Sequence, residues 1–310
     1  MIFKKSFALL LVIIFIFTSV LANFSWAAEV SQKALLADLS QIEKTIYGTI
    51  STQPLVERVE YLEKEMVGRT LPGTITNRVK QLKDFVITGT MEEPSLIFKI
   101  NTSQWTLDNQ ISNQPLITKI ENLENLLFGK TSEDVLAMRA EAIFSLCFKE
   151  GKPQFTEVIL PAGTLILIKF LNQVSSNKSE EGETFNFQVA ENIFIEEKLV
   201  IPANTQGVGK VSEAKKATLL ARPGKLTLEF EKISALDGTP LQLVLGEEAK
   251  EENKRIAVAV GVGVLGLIIL SNPVGLIAGA LVPGKNVKIE EGTEMFLQIE
   301  QDTPVIALVP

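Results

Sequence analysis

The chain has 310 residues, 46% of them hydrophobic, with one cysteine, no histidine and a formal net charge of −7. That length accommodates two ordinary domains with packed cores. The missing histidines exclude Ser-His-Asp and Cys-His catalysis and His-ligated zinc, and the acidic balance disfavours nucleic acid, whose binding rests on phosphate neutralisation.

Lys4 and Lys5 precede an unbroken apolar run, Phe7 to Phe17, and Ser25-Trp26-Ala27 offers small residues at the two positions a signal peptidase reads. Residues 1–27 are therefore expected to be a secretory signal, cleaved after Ala27, and too short to remain as a spanning helix. No cysteine follows the run, so no lipoprotein-type acylation is expected. The protein is expected in the periplasm or cell envelope.

Residues 29–150 repeat themselves. QPLVERVEYLEKEMVG (Gln53–Gly68) returns as QPLITKIENLENLLFG (Gln114–Gly129), offset by 61 residues, and a finer period of about 20 lies beneath it. Apolar residues step by 4, 3 and 4 in Leu35/Leu39/Ile42/Ile46, Leu55/Val59/Leu62/Met66, Ile75/Val79/Leu82/Val86, Leu116/Ile120/Leu123/Leu127 and Leu136/Ala140/Ile143/Cys147. A degenerate version, Leu96/Ile100/Ser103/Leu107, fills the remaining slot. This spacing places one apolar stripe on one helix face. Pro54 and Pro115 suit a helix start, and Gly48, Gly68 and Gly129 a left-handed stop. The prediction is an array of short helices, each burying its stripe on a neighbour. The glutamates of LVERVEYLEKE read as a solvated face with local pairs such as Glu60–Lys64, so Glu63→Ala is expected to be harmless. Cys147 lies on the stripe and reads as a small core residue. Such an array suits contact with envelope protein partners or spacing.

Beyond Gly151-Lys152-Pro153 the pattern changes to strands. LPAGT (Leu160–Thr164), IPANT (Ile201–Thr205) and IEEGT (Ile289–Thr293) each read as strand end, tight turn and new strand. Further strands are expected at Thr184–Ala190, Lys225–Ile233 and Leu241–Leu245, giving a small antiparallel barrel or sandwich over 155–310. The fold class is thus α+β.

The order LPAGTLILIKFLNQVSSNKSEEGETFNFQVAENI, KLVIPANTQGVGKVSEAKK, RPGKLTLEFEKISALDGTPLQL and VKIEEGTEMFLQIEQDTPV resembles the TrbI-type family. That family's β-barrel domain helps form the outer-membrane core of bacterial type IV secretion and conjugation machines. The resemblance covers roughly Val158–Val305 and implies a pore-facing barrel with an inserted helical hairpin that reaches the outer membrane. The amino-terminal half departs from the family pattern, with a signal and a helical array in place of a cytoplasmic segment, a long transmembrane helix and a proline-rich spacer. The third turn phrase also lacks the proline of the first two.

Between Arg255 and Lys285 the chain carries no charge, and Ser271-Asn272-Pro273 divides this stretch. A single crossing would put the third turn phrase across the membrane from the first two, which belong to the same β domain. A hairpin turning near Pro273 keeps both flanking cations at one level, and a buried core segment is the alternative. In the hairpin, Ala259 and Gly263, and Gly275 and Gly279, form small-xxx-small faces for close backbone approach. The expectation is membrane-lipid contact through Ile256–Val282 and self-association into a homo-oligomer. Lys210, Lys215, Lys216, Arg222 and Lys225 form a candidate anion-binding loop, read otherwise as a solvated hairpin. Glu300 and Asp302 are the carboxylates a glycan-processing enzyme would have to use. No catalytic, cofactor-binding or metal-ligating set is legible. The expected function is a non-enzymatic envelope module with a helical docking or spacer arm. The rival readings are a carboxylate-dependent cell-wall enzyme and a soluble ligand-binding barrel.

Overall fold

The structure is a computed structural model that describes residues 32–148, 154–218, 223–259, 270–272, 275–278 and 285–309. The signal-peptide reading falls on residues 1–27, outside the described residues. The chain divides into two compact units, Met1–Asp84 and Phe85–Pro310.

The helices follow the apolar stripes. They are α1 (residues 32–47), α2 (Leu55–Val67), α3 (Ile75–Lys83), α4 (Leu96–Asp108), α5 (Leu116–Phe128) and α6 (Leu136–Cys147). Their stripe residues are the core: Ile42, Ile46, Val59, Met66, Leu82, Val86, Ile100, Ile120, Ala140 and Ile143 are wholly buried. Gly48, Gly68 and Gly129 take φ of 75°, 72° and 74°, and each amide donates to the carbonyl four residues back, closing its helix. Pro54 and Pro115 stand just outside their helices, where no amide donor is missed, and their carbonyls accept from Arg58 and Lys119 N–H. α3 and α4 are capped instead by Thr74 and Ser95, whose hydroxyls accept from Asn77 and Phe98 N–H.

Within the first unit, an ion pair links each helix to the next. The Arg58 guanidinium grips Glu43 with two bonds of 2.7 and 2.8 Å. Arg78 grips Glu63 likewise at 2.5 and 2.6 Å. Both pairs are buried and both span 15 residues. Lys83, near the same helical position as those glutamates, bonds instead to Asp38 of α1 at 2.6 Å. The charges are exchanged, and α1, α2 and α3 are joined pairwise in a closed set.

The second unit begins with α4–α6, whose helices sit 61 residues after their counterparts. Arg139 grips Glu124 at 2.8 and 2.9 Å, again 15 residues apart. Lys99 of α4 bonds Glu141 of α6 at 2.6 Å.

The strands are β1 (Gln154–Leu160), β2 (Leu165–Phe170), β3 (Val174–Ser175), β4 (Thr184–Val189), β5 (Ile193–Ile195), β6 (Lys198–Ile201), β7 (Gln206–Lys215), β8 (Lys225–Phe230), β9 (Ile233–Ser234), β10 (Pro240–Leu241), β11 (Leu243–Val244), β12 (Leu270–Asn272), β13 (Gly275–Ala278), β14 (Lys288–Ile289), β15 (Glu294–Ile299) and β16 (Thr303–Val309). All pairings are antiparallel. Eight strands form a barrel-like sheet in the order β11-β15-β2-β4-β7-β8-β13-β12, and four form a second sheet, β1-β16-β6-β5. Alternate residues of both sheets, among them Ile166, Ile168, Phe187, Leu228, Leu297 and Val305, fill one core. The fold class is α+β.

The three turn phrases share a mechanism. Gly163, Asn204 and Gly292 take φ of 84°, 64° and 83°, the left-handed backbone a tight reversal needs. In the first two, the threonine hydroxyl donates back to the proline carbonyl, at 2.7 and 2.8 Å. Asp302 Oδ1 accepts from Ala162 N–H at 2.7 Å, tying the last strand connection to the first turn.

A second, smaller core joins α4 to the four-stranded sheet through Phe98, Leu199, Leu236 and Leu308. Phe98 meets Phe155 edge-on at 4.7 Å between centroids. A helix, α7 (Glu247–Ala259), follows β11. Asn253 of α7 both donates to the Phe296 carbonyl and accepts from its N–H, so its amide stands in for a strand on that part of β15.

The expected helical hairpin needs correction where the residues around its turn and in its second arm are described. Leu270–Asn272 and Gly275–Ala278 are paired strands, and the latter pairs with β8. The edge of β8 carries a row of backbone donors and acceptors, and extended chain satisfies them where a helix would not. The rest of the hairpin reading lies outside the described residues.

Glu63, expected to face solvent, is 1% exposed and bound to Arg78. Glu63→Ala would leave a guanidinium buried without its partner and should cost about 3 kcal/mol in a urea titration of the full chain. Glu63→Leu combined with Arg78→Met should recover most of that loss, and exposed Glu60→Ala should stay within about 0.5 kcal/mol. Equal midpoints for Glu63→Ala and Glu60→Ala would refute the buried assignment.

Candidate functional site

Two places stand out, and neither is a catalytic constellation. In the first unit, the last turn of α1, the connection after Gly48 and the first turns of α2 enclose a cleft of roughly 410 Å³. The buried Glu43–Arg58 pair, Tyr47, Tyr61, Gln53 and Glu57 line it. Glu43 is fully engaged, since it also accepts from Ser51 N–H at 3.1 Å and so shapes the connection. The two tyrosine rings are tilted by 43° with centroids 6.2 Å apart. The Tyr47 hydroxyl is shielded from water and sits toward Tyr61 outside hydrogen-bond geometry. Burial, then the neighbouring Tyr61 and Glu65, pushes its pKa far above the ordinary phenol range, so the phenol stays protonated.

The second place is Lys119 of α5. Its helical position is that of Arg58, Arg78 and Arg139, but Gln104 stands where their glutamates stand. Gln104 keeps one duty of those residues. It accepts from Ser112 N–H at 2.8 Å, as Glu43 accepts from Ser51 N–H and Glu124 from Ser132 N–H, each eight residues on. The buried Lys119 ammonium donates to Asn101 Oδ1 at 2.9 Å instead, and the Asn101 amide donates to the Leu236 carbonyl at 3.3 Å. Burial pulls the Lys119 ammonium down to about 8.

The sequence-predicted residues are scattered. Lys215 and Lys225 face each other across β7 and β8, and both bind Glu213. Their bonds hold that carboxylate down to about 2, Lys215 contributing more than Lys225. Lys210 and Lys216 are exposed, and Arg222 lies outside the described residues. Ala259 ends α7 and Gly275 opens β13, while Gly263, Pro273 and Gly279 lie outside the described residues. Asp302 is engaged by a turn amide. Cys147 is half-buried, and burial pushes its thiol up, away from a reactive thiolate. Among the described residues no group of three acidic or sulfur ligands could hold a metal ion, and no helix is long and apolar enough to cross a membrane.

Sequence reasoning missed the interhelical pairs and both sites. The signal was present: a cation stands three residues after every stripe start except Leu35, and a glutamate eight residues after Leu35, Leu55 and Leu116. The tyrosine pair joins residues 47 and 61 on different helices, which no single-helix period reveals.

No family model matches the chain, and no curated protein matches it. Among solved structures, ComB10 of the Com type IV secretion system of Helicobacter pylori resembles it with a TM-score of 0.27 and 16% identity. The match covers 46% of this chain and 88% of that one, and a likeness this distant decides neither fold nor function.

Lys119 has a pH signature. Its folded-state value near 8 lies below the ordinary lysine value of 10.5, so the unfolded chain holds this proton more tightly and stability rises with pH between those values. Lys119→Met should flatten that part of the melting-temperature profile. Gln104→Glu should flatten it too, by giving the ammonium a carboxylate, and should raise the melting temperature at pH 7. A profile unchanged in both variants would show that Lys119 is not the titrating group.

Proposed function

We propose that the chain is an exported, non-enzymatic cell-envelope protein. Its helices are a tandem duplication of a three-helix unit that serves as a docking or spacer arm. Its β domain is a membrane-associated module that self-associates. One observation supports the membrane role above the others: the stretch from Ile256 to Gly284 carries no charge, and its described strands, β12 and β13, lie at the edge of the barrel-like sheet. The chain enters it from α7, pinned to β15 by Asn253, and returns through Lys285, whose carbonyl accepts from Gly224 N–H just before β8. An apolar insertion anchored at both ends can extend from the sheet into lipid without disturbing the fold. Lys215 and Lys225 are bound to Glu213, so among the described residues of that loop Lys210 and Lys216 are the exposed cations an envelope polyanion would meet.

A second reading has its own observation. β13 continues the sheet beyond β8, which favours a stretch buried as core. Replacing residues 260–284 with a short Gly/Ser loop spares both Asn253 and Lys285 and separates the two. The insertion reading predicts a folded protein that leaves the membrane fraction. A variant that still sediments with membranes, or that loses cooperative unfolding of the β domain, contradicts it.

A further inference from the structure

The chain contains two tyrosines, and both line the cleft between α1 and α2. The counterparts 61 residues on, Asp108 and Asn122, are not aromatic, so the second set of helices lacks this feature. Tyr61 is 56% exposed, which makes its ring face available at the mouth, while Tyr47 is half-buried behind it. Aromatic faces carry negative charge density and attract alkylammonium and guanidinium groups. The surroundings strengthen that preference. Arg58 is neutralised by Glu43, so it does not oppose an incoming cation, and Glu57 at the start of α2 is exposed on the cleft lining. The Tyr47 hydroxyl is shielded from solvent, so this ring forms the back wall of the cleft rather than a contact for an incoming charge.

We propose that this cleft receives a lysine or arginine side chain of a partner protein, with its charged head over the exposed Tyr61 ring face and beside Glu57. The assignment rests on the docking-arm reading only for the idea that a protein carries the cation.

The test uses the full chain labelled with ¹³C in its tyrosine rings, which gives signals from two residues alone. N-acetyl-lysine methylamide is titrated in, with N-acetyl-norleucine methylamide as the uncharged match. The expected result is a saturable shift of both tyrosines with the lysine probe, at an affinity about fivefold above that of norleucine. Tyr61→Leu, a change at an exposed position, should abolish the difference, and Glu57→Gln should shrink it. Equal binding of the two probes would show an apolar slot and overturn the proposal. Absence of any saturable shift would overturn it as well. Both outcomes concern the cleft alone and leave the membrane role to the loop replacement.

Discussion

The bidentate bond from an arginine at the start of one helix to a glutamate near the end of the helix before it organises the amino-terminal half. The helices have 9 to 13 residues in α2 to α5, too short to persist alone in water. Apolar stripes drive them together, but a stripe of leucine, isoleucine and valine is a poor discriminator of neighbours. A buried guanidinium is a good one. It must find its carboxylate, because leaving either charge unpaired costs far more than the pair itself contributes. The net stabilisation of each pair is modest; its value is that wrong neighbours are excluded. The same glutamates also bind the amide of the following connection, at Ser51 and Ser132, so one side chain fixes both the partner helix and the path that leads to it.

Against that rule, the exceptions mark where the arrangement changes. Lys83 and Asp38 exchange charges, which returns α3 to α1 rather than forward along the chain. Gln104 and Lys119 dissolve the pair between α4 and α5. The lysine turns to Asn101, and Asn101 reaches the Leu236 carbonyl of the β domain. α4 carries Phe98 into the core against β6 and β16, and Trp105 donates to Asn192 at 3.3 Å. A helix that serves two sets of neighbours offers the cation of the next helix a neutral acceptor, Asn101, in place of a carboxylate. Its degenerate stripe, with Ser103 and exposed Leu107, reflects the same division.

Much of this was legible beforehand. The 4-3-4 steps located the helices because burial imposes the helical period directly on the sequence. The glycine and asparagine of the turn phrases are left-handed as expected, since few other residues tolerate that backbone. Glu63 was misread because local i, i+4 pairing is the default for a charged helix, and its true partner lies 15 residues away. Only the recurrence of the Arg–Glu spacing could have shown it. Gly275 to Ala278 carries no strand alternation, and its pairing is set by the open edge of β8, which is tertiary information. The tyrosine cleft depends on the angle between two helices, which periodicity does not encode.

The ordering of the helices depends on whether the interhelical pairs are coupled in the folded protein. Double-mutant cycles on Glu43–Arg58, Glu63–Arg78 and Glu124–Arg139 in the full chain measure this directly, with the exposed pair Lys80–Asp84 as reference. Coupling of about 2–3 kcal/mol is predicted for each of the three buried pairs and under about 1 kcal/mol for the exposed one. Couplings indistinguishable from the exposed pair would mean that the apolar stripes alone order the helices, and would contradict the account.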